Sequence, residues 1–190
     1  MDIILQFTPT PPPNDLTQEQ EMVALMQSAT GMERGFRLLM QTYQERLYWH
    51  IRGFVQTHED TDEVLQNTFI KVYRGIHQFR NESRLFTWLY RIATNESLTF
   101  LKKTKRQNLD LSLDDEHTNI GNTLSADTNL DSKYIQKVLD KAIAQLPDKQ
   151  RIVFNMRYYE ALSYAEISNL LGTSEGALKA SYHHAIKKIK

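Results

Sequence analysis

Apolar residues along this chain recur at steps of three and four, the spacing that gathers side chains on one face of an α-helix. The pattern begins near Glu19, with Met22, Leu25 and Met26 on one face. Phe36, Leu39, Met40, Tyr43, Leu47, Ile51 and Phe54 carry it into a long amphipathic helix. A polar break over 56–61 follows. Asp60 and Glu63 have cap and N3 spacing, so a new helix is expected to start there, with Leu65, Phe69, Val72, Tyr73 and Ile76 as its apolar stripe. The segment from Phe79 to Arg84 is polar and aperiodic, and reads as a loop. Phe86, Leu89, Tyr90, Ala93 and Ser97 mark the next helix, which ends in the basic run Lys102 to Arg106. Further on, Ile135, Val138, Leu139, Ala142, Ile143 and Leu146 share a face. Pro147 interrupts, and Ile152, Val153 and Met156 mark a helix from about Asp148 to Tyr159. No segment alternates apolar and polar over strand length, and no internal repeat is visible. The predicted fold class is all-α.

The last third of the chain reads as helix, tight turn, helix. Ser163 and Glu166 have capping-box spacing, and Ala165, Ile167, Leu170 and Leu171 form the apolar side of the helix they open. Gly172, tolerant of positive φ, is the expected stop. Thr173 or Ser174 then caps a second helix that is rich in lysine and histidine. This is the pattern of a helix-turn-helix, whose second helix enters the DNA major groove.

Charge sharpens that reading. The 190 residues hold 23 basic and 23 acidic side chains, a net of zero that by itself argues against a nucleic-acid partner. The distribution argues the other way. From Lys71 to Arg106 there are nine basic residues against two acidic ones. From Gln107 to Ser132 there are six acidic residues and no Lys or Arg. Charge sorted in this manner is what electrostatic partners respond to. The Asp-, Asn- and Thr-rich stretch over 107–132 reads as an acidic linker, and the proline-rich start, 1–18, as a flexible leader. The expected organisation is two small helical domains, 19–106 and 133–190, on an acidic tether.

Other chemistry is not indicated. The chain has no cysteine, which removes disulfides and thiolate metal sites. The six histidines show no metal-ligand spacing, the seven glycines are dispersed, and no nucleophile motif occurs. Neither an enzyme activity nor a metal or other cofactor is expected. The start lacks signal-peptide features and no apolar run approaches the ~18 residues that span a bilayer, so a cytoplasmic protein without membrane insertion is expected.

Two segments resemble a known family. Asp62-Glu-Val-Leu-Gln-Asn-Thr-Phe-Ile-Lys-Val-Tyr-Arg74, with Phe79-Arg-Asn-Glu-Ser-Arg-Leu-Phe-Thr-Trp-Leu-Tyr-Arg-Ile-Ala-Thr-Asn95, looks like region 2 of the extracytoplasmic-function sigma factors. These are promoter-recognition subunits of bacterial RNA polymerase. Leu146 to Lys190 looks like their region 4. The string from Thr87 to Asn95 is the more specific; a helix-turn-helix alone is far less so. The likeness covers roughly 20–106 and 130–190.

The resemblance implies roles for particular residues. Asp62, Glu63, Gln66, Asn67 and Ile70, opposite the apolar stripe, match the face that docks on core polymerase; otherwise they form an ordinary solvated helix face. Arg80, Asn81, Ser83 and Arg84 match the loop that captures a base flipped from the minus-ten element, with Phe86 or Trp88 as aromatic wall. Phe86 has the helical spacing of a core residue. Arg91, Asn95, Lys102, Lys103, Lys105 and Arg106 then hold strand phosphates, or are simply a solvated basic face. In the second domain Ser174, Glu175, Lys179, Ser181, His183, His184, Lys187 and Lys188 match the minus-thirty-five reader, with Tyr182 and Ile186 in the core. This chain has Ala177-Leu-Lys-Ala-Ser181 where the family commonly has Thr-Val-Lys-Ser-Arg, and His184 and Ile186 where arginines are frequent. With those guanidinium groups missing, guanine readout is reduced, and a different or weaker upstream preference is expected. The acidic linker matches the family's connector, or is a solubilising tether. Core polymerase, promoter DNA and an anti-sigma factor are the implied partners.

Two other readings fit the residues: a free-standing helix-turn-helix regulator whose first domain senses or dimerises, and an interaction protein that sequesters polymerase or an anti-sigma factor without touching DNA.

Overall fold

The computed structural model describes residues 16–55, 57–111 and 132–189. Most of the expected leader and most of the expected acidic linker, 112–131, lie outside the described residues. Among those described, every regular element is helical. They are α1 (Leu16–Gln27), α2 (Met32–Arg52), α3 (His58–Gly75), a 3₁₀ turn (Ile76–Gln78), α4 (Leu85–Leu111), α5 (Ser132–Ala144), α6 (Asp148–Tyr158), α7 (Tyr164–Leu171) and α8 (Glu175–Ile189).

Periodicity places the first half correctly, with corrections at helix ends. α1 begins at Leu16, so the last residues assigned to the leader are helical. The cap of α3 is Thr57, not Asp60: its hydroxyl accepts the Asp60 amide at 3.1 Å. Asp60 and Glu59 lie in the first turn, where their charge suits the helix dipole. α4 runs past the basic segment to Leu111, into the expected linker. On α3 the inward positions are Val64, Leu65, Thr68, Phe69 and Val72. Tyr73, expected in that stripe, is 45% exposed. It stands edge-to-face on Phe36, with ring centroids 5.2 Å apart.

α2 is the spine of this half. Leu39, Tyr43, Leu47 and Ile51 are fully buried and meet Met22, Val23 and Met26 of α1, Val64 and Val72 of α3, and Leu85, Leu89 and Ala93 of α4. Phe86 is buried, as its spacing predicts. In the second half, Ile143, Leu146, Phe154 and Ala185 form a smaller core edged by Tyr158, Tyr182 and Ile186. Phe154 stacks on Tyr158 at 5.1 Å.

The two halves are in contact. Ile152, Val153, Met156, Leu162, Ile167 and Leu178 belong to the same apolar cluster as the first half. Polar groups fix the seam. The chain leaves α2 through Gly53 and Phe54, whose carbonyls point past the end of the helix and need partners from elsewhere. Arg151 donates to the Phe54 carbonyl at 2.8 Å, and Asn155 to that of Gly53 at 3.2 Å. A Cβ on Gly53 would stand 3.0 Å from the Asn155 amide nitrogen, so glycine permits that approach. Beside them the fully buried His50 is held between halves. Its Nδ1 lies 2.8 Å from Glu160 and its Nε2 2.9 Å from Thr94 on α4. The carboxylate is acceptor-only, so Nδ1 carries a proton. The His50 ring also packs on Tyr90, 4.4 Å between centroids. Burial first, and Glu160 second, push the Tyr90 hydroxyl well above its ordinary pKa.

His50→Ala removes this ring and leaves Glu160 facing the seam without its donor. The expected cost is about 2–4 kcal/mol. Both tryptophans, Trp49 and Trp88, lie in the first half. Tryptophan fluorescence and far-ultraviolet dichroism should therefore give coincident urea transitions in the natural chain. In His50→Ala the dichroism transition should acquire an earlier component. Coincident transitions in the variant would contradict the linkage.

Candidate nucleic-acid interface

Between the 3₁₀ turn and α4 the chain makes an exposed loop pinned at both ends. Arg80, Asn81, Glu82 and Ser83 face solvent, with Asn81 in the left-handed region at φ 57°. At the entry, the Gln27 side-chain amide donates to the carbonyls of Ile76 and Phe79, both at 2.9 Å. At the exit, the buried carboxylate of Glu19 accepts the Leu85 amide at 3.0 Å, Arg84 Nη2 at 3.1 Å and the Tyr43 hydroxyl at 3.0 Å. Burial, reinforced by Glu19, pushes the Tyr43 hydroxyl far above its ordinary range, so it stays a donor. Arg84, expected among the base-capturing side chains, is only half-exposed and bonds inward to Glu19. Position explains it: Arg84 immediately precedes the first turn of α4, over the buried acid.

α4 continues from that loop as a polar stripe. Trp88, Arg91, Asn95, Lys102 and Arg106 recur at steps of three, four and seven, and so share one helix face. The stripe is about 27 Å long at 1.5 Å per residue. Arg91, Asn95, Lys102 and Arg106 are exposed. Trp88 is half-buried, its ring tilted against Phe79 at 5.1 Å and in van der Waals reach of Gly75. Part of its surface stays accessible, four residues after the loop. Lys103 and Lys105 are exposed on the flanks. Lys105 bonds Asp148 of α6 at 2.6 Å. That bond, more than the nearby guanidinium of Arg151, holds the Asp148 carboxyl below the usual carboxylate range despite partial burial. A depressed acid contributes above its unfolded pKa of ~3.9 and loses the contribution as pH falls through the lower folded value, so this tie is intact at neutral pH.

In the same half, Asp62, Glu63, Gln66, Asn67 and Ile70 are all exposed along α3. All except Asn67 edge a groove between α2 and α3 that Phe36, Met40, Phe69 and Tyr73 also line. Asp62 is 3.4 Å from His58. An apolar groove with a polar rim has the make-up of a protein-docking surface.

The helix-turn-helix forms through the expected devices. Ser163 accepts the Glu166 amide at 3.2 Å, and the Glu166 carboxylate accepts the Ser163 amide at 2.7 Å. Gly172 ends α7 at φ 63°. The cap of α8 is Ser174, whose carbonyl takes the Leu178 amide at 3.1 Å. Ile167 and Leu178 face inward, whereas Ala165, expected on the apolar side, is exposed; alanine has too little surface to dictate its face. Ser174, Glu175, Lys179, His183, His184, Lys187 and Lys188 are exposed on α8, and Ser181 is half-buried. Lys179 reaches back to Glu175 at 3.6 Å and over the Tyr164 ring at 5.5 Å. Tyr182 and Ile186 pack against the second core, as expected.

Sequence reasoning passed over Glu19, Gln27, His50, Arg151 and Glu160. Glu19 left a signal: an acid three and seven residues ahead of Met22 and Met26, on their face. The partners that give the others their roles across the structure lie 44 or more residues away, which no local pattern encodes.

Comparison with known proteins covers both halves. Residues 39–107 match the family model for sigma-70 region 2, and 136–189 that for sigma-70 region 4. α1 lies ahead of the first match. The chain is 30% identical over 181 residues to the RNA polymerase sigma-H factor of Pseudomonas aeruginosa, covering 92% of this chain and 94% of that one. It is 29% identical over 179 residues to the ECF RNA polymerase sigma-E factor of Haemophilus influenzae, covering 90% and 93%. Among solved structures it resembles the sigma factor RpoE from Bartonella quintana, crystallised with the anti-sigma factor NepR. There the TM-score is 0.63 and the identity 19%, over 81% of this chain and 93% of that one. CnrH in complex with the cytosolic domain of CnrY gives a TM-score of 0.61 at 19% identity, over 90% and 94%. Those two likenesses concern the fold.

Gly172→Ala tests the turn. A Cβ there meets nothing within 4 Å, so the cost is backbone strain alone, about 1–2 kcal/mol. A thermal melt should show a modestly lower midpoint with helix content retained. An unchanged or raised midpoint would contradict the left-handed turn.

Proposed function

Because the chain belongs to the extracytoplasmic-function sigma factors, we propose a division of its surfaces between polymerase and promoter DNA. The chain is an RNA polymerase sigma factor: it binds core polymerase and directs initiation at particular promoters. A free-standing regulator is disfavoured, since the kinship runs through both halves and not the helix-turn-helix alone.

In the proposed division, 19–106 is the region 2 domain, 107–132 the connector and 133–190 the region 4 domain. Core polymerase takes the α3 face, with Ile70 entering an apolar site and Asp62, Glu63, Gln66 and Asn67 supplying the polar rim. The minus-ten strand lies along α4. Arg80, Asn81 and Ser83 hold an unstacked base at the loop, Trp88 offers the adjoining aromatic face, and Arg91, Asn95, Lys102, Lys103 and Arg106 follow the backbone. A phosphate that takes Lys105 displaces Asp148. Arg84 acts on the loop from within. The upstream element is read by α8 through Lys179, Ser181, His183, His184, Lys187 and Lys188, with Ser174 and Glu175 at its amino end. Without arginines at the usual reading positions, affinity for this element rests more on phosphate contacts and on polymerase. Strand opening stores no covalent chemistry, so the chain needs no catalysis of its own, and nucleotide addition belongs to the polymerase. Cytoplasmic action and control by an anti-sigma factor are part of the same proposal. Among the described residues no helix is long and apolar enough to cross a membrane.

The observation that carries this reading is the joining of the pinned loop to one basic stripe on α4. Its test is transcription from a fragmented genomic library by core polymerase plus this chain, with sequencing of the transcript starts. Starts sharing an upstream motif at fixed spacing are expected. Random starts, or the same starts without the chain, would refute it.

Two further outcomes separate the surfaces. Ile70→Glu should abolish core binding and leave helix content unchanged. Neutralising Lys102 and Lys103 to Gln should lower the slope of log affinity against log salt for the minus-ten single strand by about 0.7 per lysine. An unchanged slope would place the strand elsewhere.

A further inference from the structure

The base-capturing loop needs a fixed shape before DNA arrives, and its own sequence does not supply one. Four consecutive residues, Arg80 to Ser83, are exposed, and Asn81 holds a left-handed conformation that asparagine tolerates but does not require. Free, such a segment samples many conformers, and ordering it on DNA would be charged against binding. What fixes it is α1. This helix lies alongside the loop, with Gln27 at one end gripping the Ile76 and Phe79 carbonyls and Glu19, two turns earlier, gripping the Leu85 amide and the Arg84 guanidinium. The loop is clamped at both ends by one rigid rod. Glu19 stands where α4 begins, so it also caps that helix from another element. Tyr43 fastens the same carboxylate to α2.

We propose that α1 is a splint for promoter-base capture, with Glu19 and Gln27 as positioning residues that pre-form the 79–85 loop. The inference rests on the reading of that loop given above. Neither side chain reaches the DNA. Glu19 is buried, and the Gln27 amide is turned onto backbone carbonyls. They act through the loop's geometry: removing either grip leaves tip side chains intact but unplaced.

The test uses holoenzyme, core polymerase with the full chain, and single-stranded minus-ten oligonucleotides, either intact or with an abasic site at each position in turn. The measured quantity is the ratio of affinities, intact over abasic. In the natural chain this ratio is large at the captured position. Gln27→Ala should reduce it about tenfold, equivalent to about 1.4 kcal/mol. Affinity for the abasic strand and for core polymerase should stay unchanged. Glu19→Gln should do the same; Gln27→Ala alone carries the test if Glu19→Gln fails to fold, because Gln27 is at the surface. Asn81→Ala and Ser83→Ala, which alter only the tip, test the underlying reading. If tip substitutions leave the ratio unchanged, base capture by this loop is wrong. If they collapse the ratio while Gln27→Ala and a folded Glu19→Gln leave it intact, capture stands and the splint is overturned. A uniform loss on intact and abasic strands alike would also overturn it, since that signals general damage and not misplacement.

Discussion

A carboxylate withdrawn from water is tolerated only when its oxygens are filled, and Glu19 is filled from three directions. A hydroxyl from α2, a guanidinium from the loop and the first amide of α4 converge on it. The arrangement works only if α1, α2 and α4 sit in one relative placement, because an unfilled lone pair would return much of the desolvation cost. The apolar packing of Met22, Tyr43, Leu85 and Leu89 supplies the stabilisation, and Glu19 makes it specific. The loop and the stripe that begins at Trp88 inherit their positions from this point.

The seam between halves follows the same rule at the carboxyl end of α2. The carbonyls of Gly53 and Phe54, just past the end of α2, are taken by Asn155 and Arg151, and His50 is taken by Glu160. Burial pulls the Arg151 guanidinium below its usual pKa, and Asp148 opposes the shift. α2 is therefore a spine with two polar locks, one at its middle through Tyr43 on the loop side and one at its carboxyl end on the side of the second half. Asp148 also occupies Lys105, so a basic side chain suited to DNA is held by an acid of the other half in this arrangement.

Much of this was legible in the residues. Steps of three and four gave the helices, aperiodicity gave the 79–84 loop, and the Ser163–Glu166 box and Gly172 gave the helix-turn-helix. Local ambiguity accounts for the near misses. Thr57 and Asp60 are both competent caps three residues apart, and Thr57 is the one whose hydroxyl takes a first-turn amide. Tyr73 satisfies the helical period but has a hydroxyl and a groove to lean on. Arg84 reads as a free cation because its partner is 65 positions earlier. His50 reads as a lone imidazole on an apolar face because Glu160 is 110 positions later. The candidate site was legible as chemistry, in the loop and the basic run. What holds that chemistry in place is long-range, and sequence spacing does not carry it.

The central claim is that the loop and the α4 stripe hold an opened promoter strand when this chain is mounted on polymerase. The direct measurement is the fluorescence of 2-aminopurine placed in the non-template minus-ten strand of a duplex promoter. The account predicts a rise, reporting unstacking, only when core polymerase and this chain are both present. A rise with core alone, or transcription from that promoter without any rise, would contradict it.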